Sequence, residues 1–159
     1  MSTLFVFDID ATIAHAGRRL KEAGPEPSRD DKAIYDHWVR NVQNEKSLLE
    51  DKPVPGMAQL LNELSAANVM YLTSREEKWR SVTKEWLIIN DMPDFNLVMR
   101  GNDDYRDSAE FKIEAIKFVQ AMQGSTSVVV FDDDEHGELE KVCAKEGYTF
   151  LKARSGGQR

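Results

Sequence analysis

Residues 4–12 read Leu-Phe-Val-Phe-Asp-Ile-Asp-Ala-Thr, a short apolar run followed at once by two aspartates and a threonine. The apolar run predicts a buried β-strand. Because side chains alternate along an extended chain, Asp8 and Asp10 are expected to project to the same side. Carboxylates are costly to bury unless they are paired or bind a metal. Two acids at the end of a strand therefore predict a site for a hard cation and for phosphate chemistry.

Apolar runs of strand length recur along the chain and alternate with longer amphipathic segments, which is the pattern of a parallel α/β sheet. The predicted strands are Leu4–Phe7, Val69–Leu72, Asn96–Met99, Val128–Phe131 and Tyr148–Leu151. The predicted helices are Met57–Ala67, Glu76–Asn90, Ala109–Met122 and Glu135–Glu146. We therefore expect three layers, with a central parallel sheet between two layers of helices.

The chain has 159 residues, of which 41% are apolar and 31% charged, as expected of one globular domain. We predict a single domain over residues 1–151, with a small lid insertion at about 15–54 and a flexible tail at 152–159. The insertion starts with basic, Gly- and Pro-rich sequence. It continues with a polar helix-like segment from about Asp31 to Leu49.

The net charge of −7 argues against a broad basic face that grips long duplex nucleic acid. A nucleotide or a strand end held by a few arginines stays compatible with that charge.

A lone cysteine, Cys143, excludes an intramolecular disulfide and agrees with a reducing compartment. The sequence shows no signal peptide and no stretch that could span a bilayer, so we expect a cytoplasmic protein with no membrane partner.

Polar residues follow the predicted strands, where the ligand site of an open parallel sheet lies. Residues 73–75 (Thr-Ser-Arg) follow the second strand, residues 132–134 (three aspartates) follow the fourth, and Lys112 lies near the start of a helix. A carboxylate can attack phosphorus, and a second carboxyl can donate a proton to the leaving oxygen and then activate water. A hydroxyl and a lysine can hold the phosphoryl oxygens.

These motifs resemble those of the haloacid dehalogenase-like (HAD) superfamily of phosphohydrolases. FVFDIDAT resembles its first motif, VMYLT its second, the helical Lys112 its third and VVVFDD its fourth, in order across nearly the whole chain. The resemblance implies a Rossmann-like three-layer α/β sandwich with a central parallel sheet. It also implies Mg²⁺ as the cofactor and phosphomonoester hydrolysis through an aspartyl-phosphate.

The resemblance also implies a role for each matched residue. Asp8 would be the nucleophile and a Mg²⁺ ligand, and Asp10 the general acid/base that gives its backbone carbonyl to the metal. Thr73 and Lys112 would bind the transferring phosphoryl group. Asp132 would ligate Mg²⁺, and Asp133 would ligate it or hold a metal-bound water.

A narrower resemblance is to the phosphatase domain of polynucleotide kinase 3′-phosphatases and to stand-alone phage proteins of that type. It rests on YLTSREE, on LVMR and on the spacing from Tyr105-Arg106 to Lys112. It implies that Arg75 and Arg19 contact the substrate, with Arg18 as a rival for Arg19. The implied substrate is a nucleic-acid 3′-phosphate end or a nucleotide, and we expect no obligate protein partner.

Three features depart from the family pattern. The usual glycine between the second aspartate and the threonine is Ala11, which costs little if its φ is negative. The acidic pair that often precedes the helical lysine is Ser108-Ala109. The chain contains no Gly-x-x-x-x-Gly-Lys-Ser/Thr segment, so we expect no kinase half.

Other interpretations stay open for several residues. Ser74 is expected to cap the helix from Glu76, and Asp134 the helix from Glu135. Tyr35 and Trp38 either stack a base or pack the lid onto the domain. A small-metabolite phosphatase, a 5′-nucleotidase and a catalytically silent binding module are alternative functions.

Overall fold

The computed structural model describes residues 2–154, and a five-stranded parallel sheet lies at its centre. The strands of the chain are β1 (Thr3–Phe7), β2 (Ala14–His15), β3 (Lys52–Pro53), β4 (Val69–Glu76), β5 (Asn96–Arg100), β6 (Ser127–Asp132) and β7 (Thr149–Lys152). The sheet has the order β5-β4-β1-β6-β7, and every neighbouring pair is parallel. The predicted parallel α/β sheet is thus confirmed, with β1 in the middle.

Helices cover both faces of the sheet, as predicted for three layers. They are α1 (Gly17–Ala23), α2 (Lys32–Val42), α3 (Glu45–Leu49), α4 (Met57–Asn62), α5 (Arg80–Ile89), α6 (Ser108–Gln123) and α7 (Glu138–Glu146). Alternate residues of β1 face opposite layers: Phe7 packs in the core with Trp86 of α5, whereas Leu4 and Val6 pack with Ile116 of α6. Burial of these two apolar faces fixes the sheet between its helices.

Helices α4 and α5 differ from their predicted bounds. The predicted helix Met57–Ala67 ends at Asn62, and a separate 3₁₀ turn covers Ala66–Asn68. Helix α5 begins only at Arg80, because β4 continues its pairing with β5 as far as Glu76. The prediction that Ser74 caps this helix is therefore wrong. Ser74 lies in the strand, and its hydroxyl is 2.5 Å from the hydroxyl of Ser108 at the start of α6.

Helix α7 also begins later than predicted, and Gly137 in a left-handed conformation occupies the residue before it. Asp134 still stabilises the first turn, because its carboxylate accepts hydrogen bonds from the backbone N–H groups of Leu139 (3.1 Å) and Glu140 (2.9 Å). The predicted capping acid is thus correct, although it acts from outside the helix. A carboxylate near the N-terminus of α7 also interacts favourably with the positive end of the helix dipole.

The lid insertion leaves and rejoins the domain at one place, because β2 and β3 pair antiparallel with His15 opposite Lys52. The polar segment that the sequence predicts as one helix, from about Asp31 to Leu49, forms two helices, α2 and α3. Each begins with a side-chain cap: Asp31 accepts the N–H of Ile34, and Asn44 accepts the N–H of Ser47. Since Asn44 starts a new helix, α2 ends at Val42 and the predicted continuous helix is broken there.

No helix within residues 2–154 is long and apolar enough to cross a membrane. The first residue of the predicted tail, Lys152, is the last residue of β7. The next residue, Ala153, donates its N–H to the Asp132 carbonyl at 2.9 Å. The rest of the predicted tail from residue 155 onward lies outside the described residues.

Candidate active site

The chain turns sharply after β1, in the middle of the carboxyl edge of the sheet. Asp8 continues the pairing with β6 by donating its N–H to the Phe131 carbonyl at 2.9 Å. The Ile9 carbonyl then accepts three backbone N–H groups, those of residues 12, 13 and 14. This turn places Ala11 in the left-handed region, with φ 62°. We expected Ala11 to cost little if its φ were negative, and its φ is positive. A side chain in this conformation costs about 1 to 2 kcal/mol.

Asp8 and Asp10, which the sequence predicts to face the same way, have different hydrogen-bonding partners in the structure. Asp8 is buried and its partners are Lys112 and the hydroxyl of Thr12. Asp10 has a different set of partners, the guanidinium groups of Arg19 and Arg75. The two carboxylates therefore belong to two charged clusters, which lie close enough to interact: Asp10 contributes to the raised pKa of Asp8, and Lys112 contributes to the lowered pKa of Asp10.

The first cluster, which we call the lysine cluster, consists of Asp8, Asp132, Asp133 and Lys112. The ammonium group of Lys112 lies 2.6 Å from Asp132 Oδ2 and 3.1 Å from Asp8 Oδ1. It reaches them from α6, which runs back from the same edge of the sheet. Lys112 is only 5% exposed. A buried ammonium between two carboxylates is satisfied in this position and would not be satisfied elsewhere in the core.

Burial shapes the protonation of this cluster. It raises the pKa of Asp8, and the Asp132 carboxylate adds to that effect, so that the pKa reaches about 7 although Lys112 opposes it. Burial would lower the pKa of Lys112, but the carboxylates of Asp132 and Asp8 outweigh it and raise that pKa above its usual range. Lys112 is therefore charged at neutral pH, while Asp8 lacks enough positive charge nearby.

A divalent cation would supply the missing charge. One carboxylate oxygen each from Asp8, Asp132 and Asp133 lies within 4.8 Å of the others. All three residues are buried, and Lys112 offers one positive charge against their three negative charges. Hard oxygen ligands of this kind suit Mg²⁺ or a similar cation, so the residues present fit the metal that the resemblance implies.

The second cluster, which we call the arginine cluster, surrounds Asp10. Arg75 donates from Nη2 to Asp10 Oδ1 at 2.7 Å and from Nε to Oδ2 at 3.2 Å, a two-point contact. Arg19 of α1 also donates to Asp10 Oδ1. Burial alone would raise the pKa of Asp10, but Arg19 and Arg75 outweigh it and hold that pKa well below its usual range.

Asp51 completes the arginine cluster, and the sequence does not indicate it. Its Oδ2 accepts from Arg19 Nε at 2.9 Å and lies 3.6 Å from Arg75 Nη2. Its side chain is fully buried, and burial raises its pKa to about 6. The only local signal is its place, one residue before β3, where the insertion rejoins the domain. Two acids thus face two arginines, and the arginine cluster has no net charge.

The structure decides which arginine of the predicted pair faces the site. Arg19 is 1% exposed and points into the arginine cluster. Arg18 points outward, where it pairs with Glu22 at 3.2 Å and Glu50 at 3.4 Å. Arg75 is also fully buried. Both predicted substrate arginines are therefore in the site, and both are already occupied by carboxylates.

Thr73 and Arg75 take their positions from an irregularity in β4. The register between β4 and β5 shifts between Thr73 and Glu76, which is where the strand bulges. Thr73 is fully buried, and its hydroxyl accepts the backbone N–H of Arg75 at 3.1 Å. Because β4 and β1 are neighbours in the sheet, Thr73 lies beside the end of β1 that carries Asp8.

No family model and no curated protein matches this sequence. Among solved structures, a chain of the Pnkp1/Rnl/Hen1 RNA repair complex superposes with a TM-score of 0.67 at 19% identity, over 99% of this chain and 44% of the other. A haloacid dehalogenase-like hydrolase from Streptococcus pneumoniae gives 0.65 at 14% identity, over 99% and 89%. A HAD-family enzyme from Bacteroides thetaiotaomicron, solved as a magnesium complex, gives 0.52 at 13%, over 98% and 94%.

This chain spans less than half of the RNA repair chain and nearly all of the two single enzymes. At these identities the likeness concerns the fold, and the activities are those of the other proteins. The chain therefore has the α/β fold of the HAD-superfamily hydrolases.

Proposed function

We propose that this chain is a Mg²⁺-dependent phosphomonoester hydrolase that acts through an aspartyl-phosphate on Asp8. The observation that carries the proposal is the lysine cluster, in which a buried carboxylate at the end of the central strand lies beside a lysine and two further acids. A divalent cation held by Asp8, Asp132 and Asp133 would neutralise the phosphate and Asp8, so that two negatively charged groups can approach each other.

Each residue then has a defined task. A carboxylate oxygen of Asp8 attacks phosphorus and forms the acyl phosphate. Lys112 and the Thr73 hydroxyl hold phosphoryl oxygens and stabilise the negative charge of the transition state. Asp10 transfers protons, first to the leaving oxygen and then from the water that hydrolyses the intermediate.

The arginines constrain the task of Asp10. Arg19 and Arg75 keep its pKa low, so Asp10 is ionised, as the second step requires, but it is a weak base for the proton of water while both arginines hold it. The first step needs a protonated Asp10, and that requires the carboxyl group to leave at least one guanidinium. For Arg19 or Arg75 to bind the substrate phosphate directly, it would also have to release Asp10, because both arginines are bound to that carboxylate.

The proposed substrates are nucleic-acid 3′-phosphate ends or nucleotides. Two observations support them: the sequence likeness to polynucleotide 3′-phosphatases, and the structural likeness to a chain of an RNA repair complex. With a net charge of −7, the protein suits a substrate that is held at one end better than a long duplex. The lid insertion, residues 15–54, lies at the same edge of the sheet, where it can limit access to an end.

The nucleophile is tested by Asp8→Asn, which keeps the shape of the side chain and removes its nucleophilic charge. We expect turnover of p-nitrophenyl phosphate to fall by about 10⁴-fold or more. Beryllofluoride should bind at Asp8 in a crystal of the unmodified protein. Asp94→Asn, an exposed acid before β5, serves as the matched control and should keep its activity. Full turnover by Asp8→Asn, or beryllofluoride bound elsewhere, would refute the assignment.

The substrate is tested with a panel of 3′- and 5′-phosphorylated oligonucleotides, mononucleotides and sugar phosphates. A preference for 3′-phosphates supports the proposal. A preference for 5′-mononucleotides or sugar phosphates would instead identify a 5′-nucleotidase or a small-metabolite phosphatase. If no phosphate ester is hydrolysed at any Mg²⁺ concentration, the chain is a silent binding module and the proposed chemistry is wrong.

A further inference from the structure

We propose that Asp51 is a positioning residue for the reaction. It holds the guanidinium group of Arg19 in place, so that one nitrogen of that group, Nη2, can pass from Asp10 to an oxygen of the substrate phosphate. Asp51 lies outside the lysine cluster and acts through Arg19, whose Nε donates to it at 2.9 Å. The inference rests on the proposed hydrolase function and adds a residue on which binding of the phosphate depends.

The three nitrogens of the Arg19 guanidinium have three different partners. Nε donates to Asp51 Oδ2 at 2.9 Å, Nη1 donates to the Val42 carbonyl at 3.2 Å, and Nη2 donates to Asp10 Oδ1. Val42 and Asp51 belong to the lid insertion, as Arg19 does, whereas Asp10 belongs to the turn after β1. Asp10 can therefore release Nη2 while the other two hydrogen bonds keep the guanidinium where it is.

Asp51 is the more firmly fixed of the two acids in the arginine cluster. Its side chain is fully buried, and its backbone carbonyl accepts the indole N–H of Trp86 at 2.8 Å. Trp86 belongs to α5 and lies in the core of the domain. The side chain of Asp10, in contrast, is partly exposed. Asp10 is therefore the acid that can exchange partners, and Asp51 is the acid that stays.

An acid that stays is needed because both arginines of the cluster are buried. Arg19 and Arg75 have almost no exposed surface, and a buried cation without a partner is costly. When Asp10 leaves, Asp51 still provides one carboxylate for the two guanidinium groups. The remaining group of three carries a single positive charge, which suits a phosphate oxygen, because guanidinium groups bind phosphate through charge-assisted hydrogen bonds.

Asp51 also has an acceptor in reserve for Arg75. Its Oδ2 lies 3.6 Å from Arg75 Nη2, slightly farther than a hydrogen bond. Its Oδ1 is buried and has no hydrogen-bond partner within residues 2–154. Arg75 keeps a second partner on α5, since its Nη1 donates to the Thr83 hydroxyl at 3.2 Å. After Asp10 leaves, a small shift would therefore let Arg75 bind Asp51 without leaving α5.

The test is Asp51→Asn, which keeps the shape of the side chain and removes its charge, assayed with p-nitrophenyl phosphate. The assay is run at pH 8, above the pKa of about 6 of Asp51. We expect KM, and the inhibition constant of inorganic phosphate, to rise about tenfold, the scale of one charged hydrogen bond. The reason is that Asp10 becomes the only acid for two arginines and gives them up less readily.

A merely structural role of Asp51 would not produce this pattern. The Mg²⁺ concentration for half-maximal activity should stay the same in Asp51→Asn, because the proposed cation site lies in the lysine cluster. Asp104→Asn removes an acid that pairs with Arg106 outside both clusters, and as the control it should change none of the three constants. An unchanged or lower KM in Asp51→Asn would overturn the positioning role and leave the hydrolase intact.

A double-mutant cycle tests whether Asp51 acts through Arg19. Arg19→Gln should itself raise KM, because it removes the guanidinium group. Adding Asp51→Asn to Arg19→Gln should then raise KM by less than about twofold, since the two residues act as a unit. A further rise as large as that in the unmodified background would overturn the proposal, because Asp51 would then act independently of Arg19.

A crystal of the unmodified protein with Mg²⁺ and orthovanadate tests the exchange of partners even if Asp51→Asn does not fold. With vanadate bound at Asp8, Arg19 Nη2 should contact a vanadate oxygen while Nε stays on Asp51. Arg19 still bound to Asp10 and out of contact with vanadate would overturn the proposal. If the unmodified protein hydrolyses no phosphate ester and binds no vanadate at Asp8, the proposed function itself is wrong.

Discussion

The two charged clusters at the carboxyl edge of the sheet are built from similar residues and balance their charge differently. The arginine cluster pairs Asp10 and Asp51 with two arginines, so that it has no net charge, and of these four side chains only Asp10, at 25% exposure, reaches solvent. The lysine cluster sets three acids against Lys112 and keeps an excess of negative charge. The arginine cluster therefore balances its own charges, whereas the lysine cluster retains negative charge that a bound cation would offset.

Removing the one cation of the lysine cluster should have the largest effect. In Lys112→Met, the carboxylates of Asp8 and Asp132 lose the positive charge between them and keep only neutral donors, the Thr12 hydroxyl and a backbone N–H. We expect the metal-free protein to lose about 3 to 5 kcal/mol of unfolding free energy. Mg²⁺ should restore much of this loss, since the cluster becomes more negative. Urea denaturation with and without Mg²⁺ measures both effects.

The matched control for that variant is Lys117→Met, since Lys117 pairs with Glu146 at the surface and is half exposed. Its removal should change the unfolding free energy by less than about 1 kcal/mol, with or without Mg²⁺. If the loss in Lys112→Met were the same at every Mg²⁺ concentration, the lysine cluster would not be a cation site.

The next largest effect should be the pH dependence of the unfolding free energy of the unmodified protein, to which one acid of each cluster contributes. The pKa of Asp8 is raised to about 7 from the ordinary 3.8, so folding favours its protonated form. This contribution is present at low pH and is lost as the pH rises from 3.8 to about 7. Asp51, with a pKa of about 6, acts in the same direction. The metal-free protein should therefore be less stable at pH 8 than at pH 5, by about 2 to 4 kcal/mol.

Mg²⁺ should remove only the part of this pH dependence that belongs to Asp8, because Asp51 lies in the arginine cluster. The melting temperature should thus rise with Mg²⁺ more at pH 8 than at pH 5. Calorimetry over that range provides the measurement. An equal rise at both pH values would mean that Mg²⁺ binds somewhere other than at Asp8.

Weakening the arginine cluster should lower the unfolding free energy by less than Lys112→Met does, and Mg²⁺ should not restore the lost stability. Asp51→Asn keeps the shape of the side chain and leaves Arg19 with one carboxylate in place of two. We expect a loss of about 2 kcal/mol, in the range for a buried charged hydrogen bond. Asp104→Asn, whose partner Arg106 is partly exposed, is the control and should cost less. Restoration of Asp51→Asn by Mg²⁺ would show that the two clusters are not independent.

The sequence predicts the fold and the lysine cluster well, because both depend on local patterns. Apolar runs of strand length predict the five strands, polar residues at their ends indicate Asp8, Asp132 and Asp133, and Lys112 lies near the start of a predicted helix. Asp51 has no such signal: it follows a polar helical segment, and only the return of the insertion brings it to Arg19. The pairing of Asp10 with Arg19 and Arg75 has no local signal for a related reason, since it joins three segments that are separate in the sequence.

A substitution in the turn after β1 should have the smallest effect on the unfolding free energy. This turn lies between Asp8 of the lysine cluster and the arginine cluster. Ala11 is buried and has a φ of 62°, and it comes directly after Asp10. Ala11→Gly removes the strain of a left-handed alanine but makes the unfolded chain more flexible. We expect a net gain of about 0.5 to 1 kcal/mol in unfolding free energy. Ala16→Gly, at a buried alanine with φ −94°, should lose about as much.

Denaturation of both variants without Mg²⁺ tests the turn separately from the charges. If Ala11→Gly were destabilising while Ala16→Gly behaved as expected, the strain of a left-handed alanine would be smaller than the entropy that glycine adds to the unfolded chain. The three hydrogen bonds to the Ile9 carbonyl would then hold the turn at little cost from the side chain of residue 11. The sign of this small change therefore measures whether Ala11 or the backbone hydrogen bonds dominate the energy of the turn.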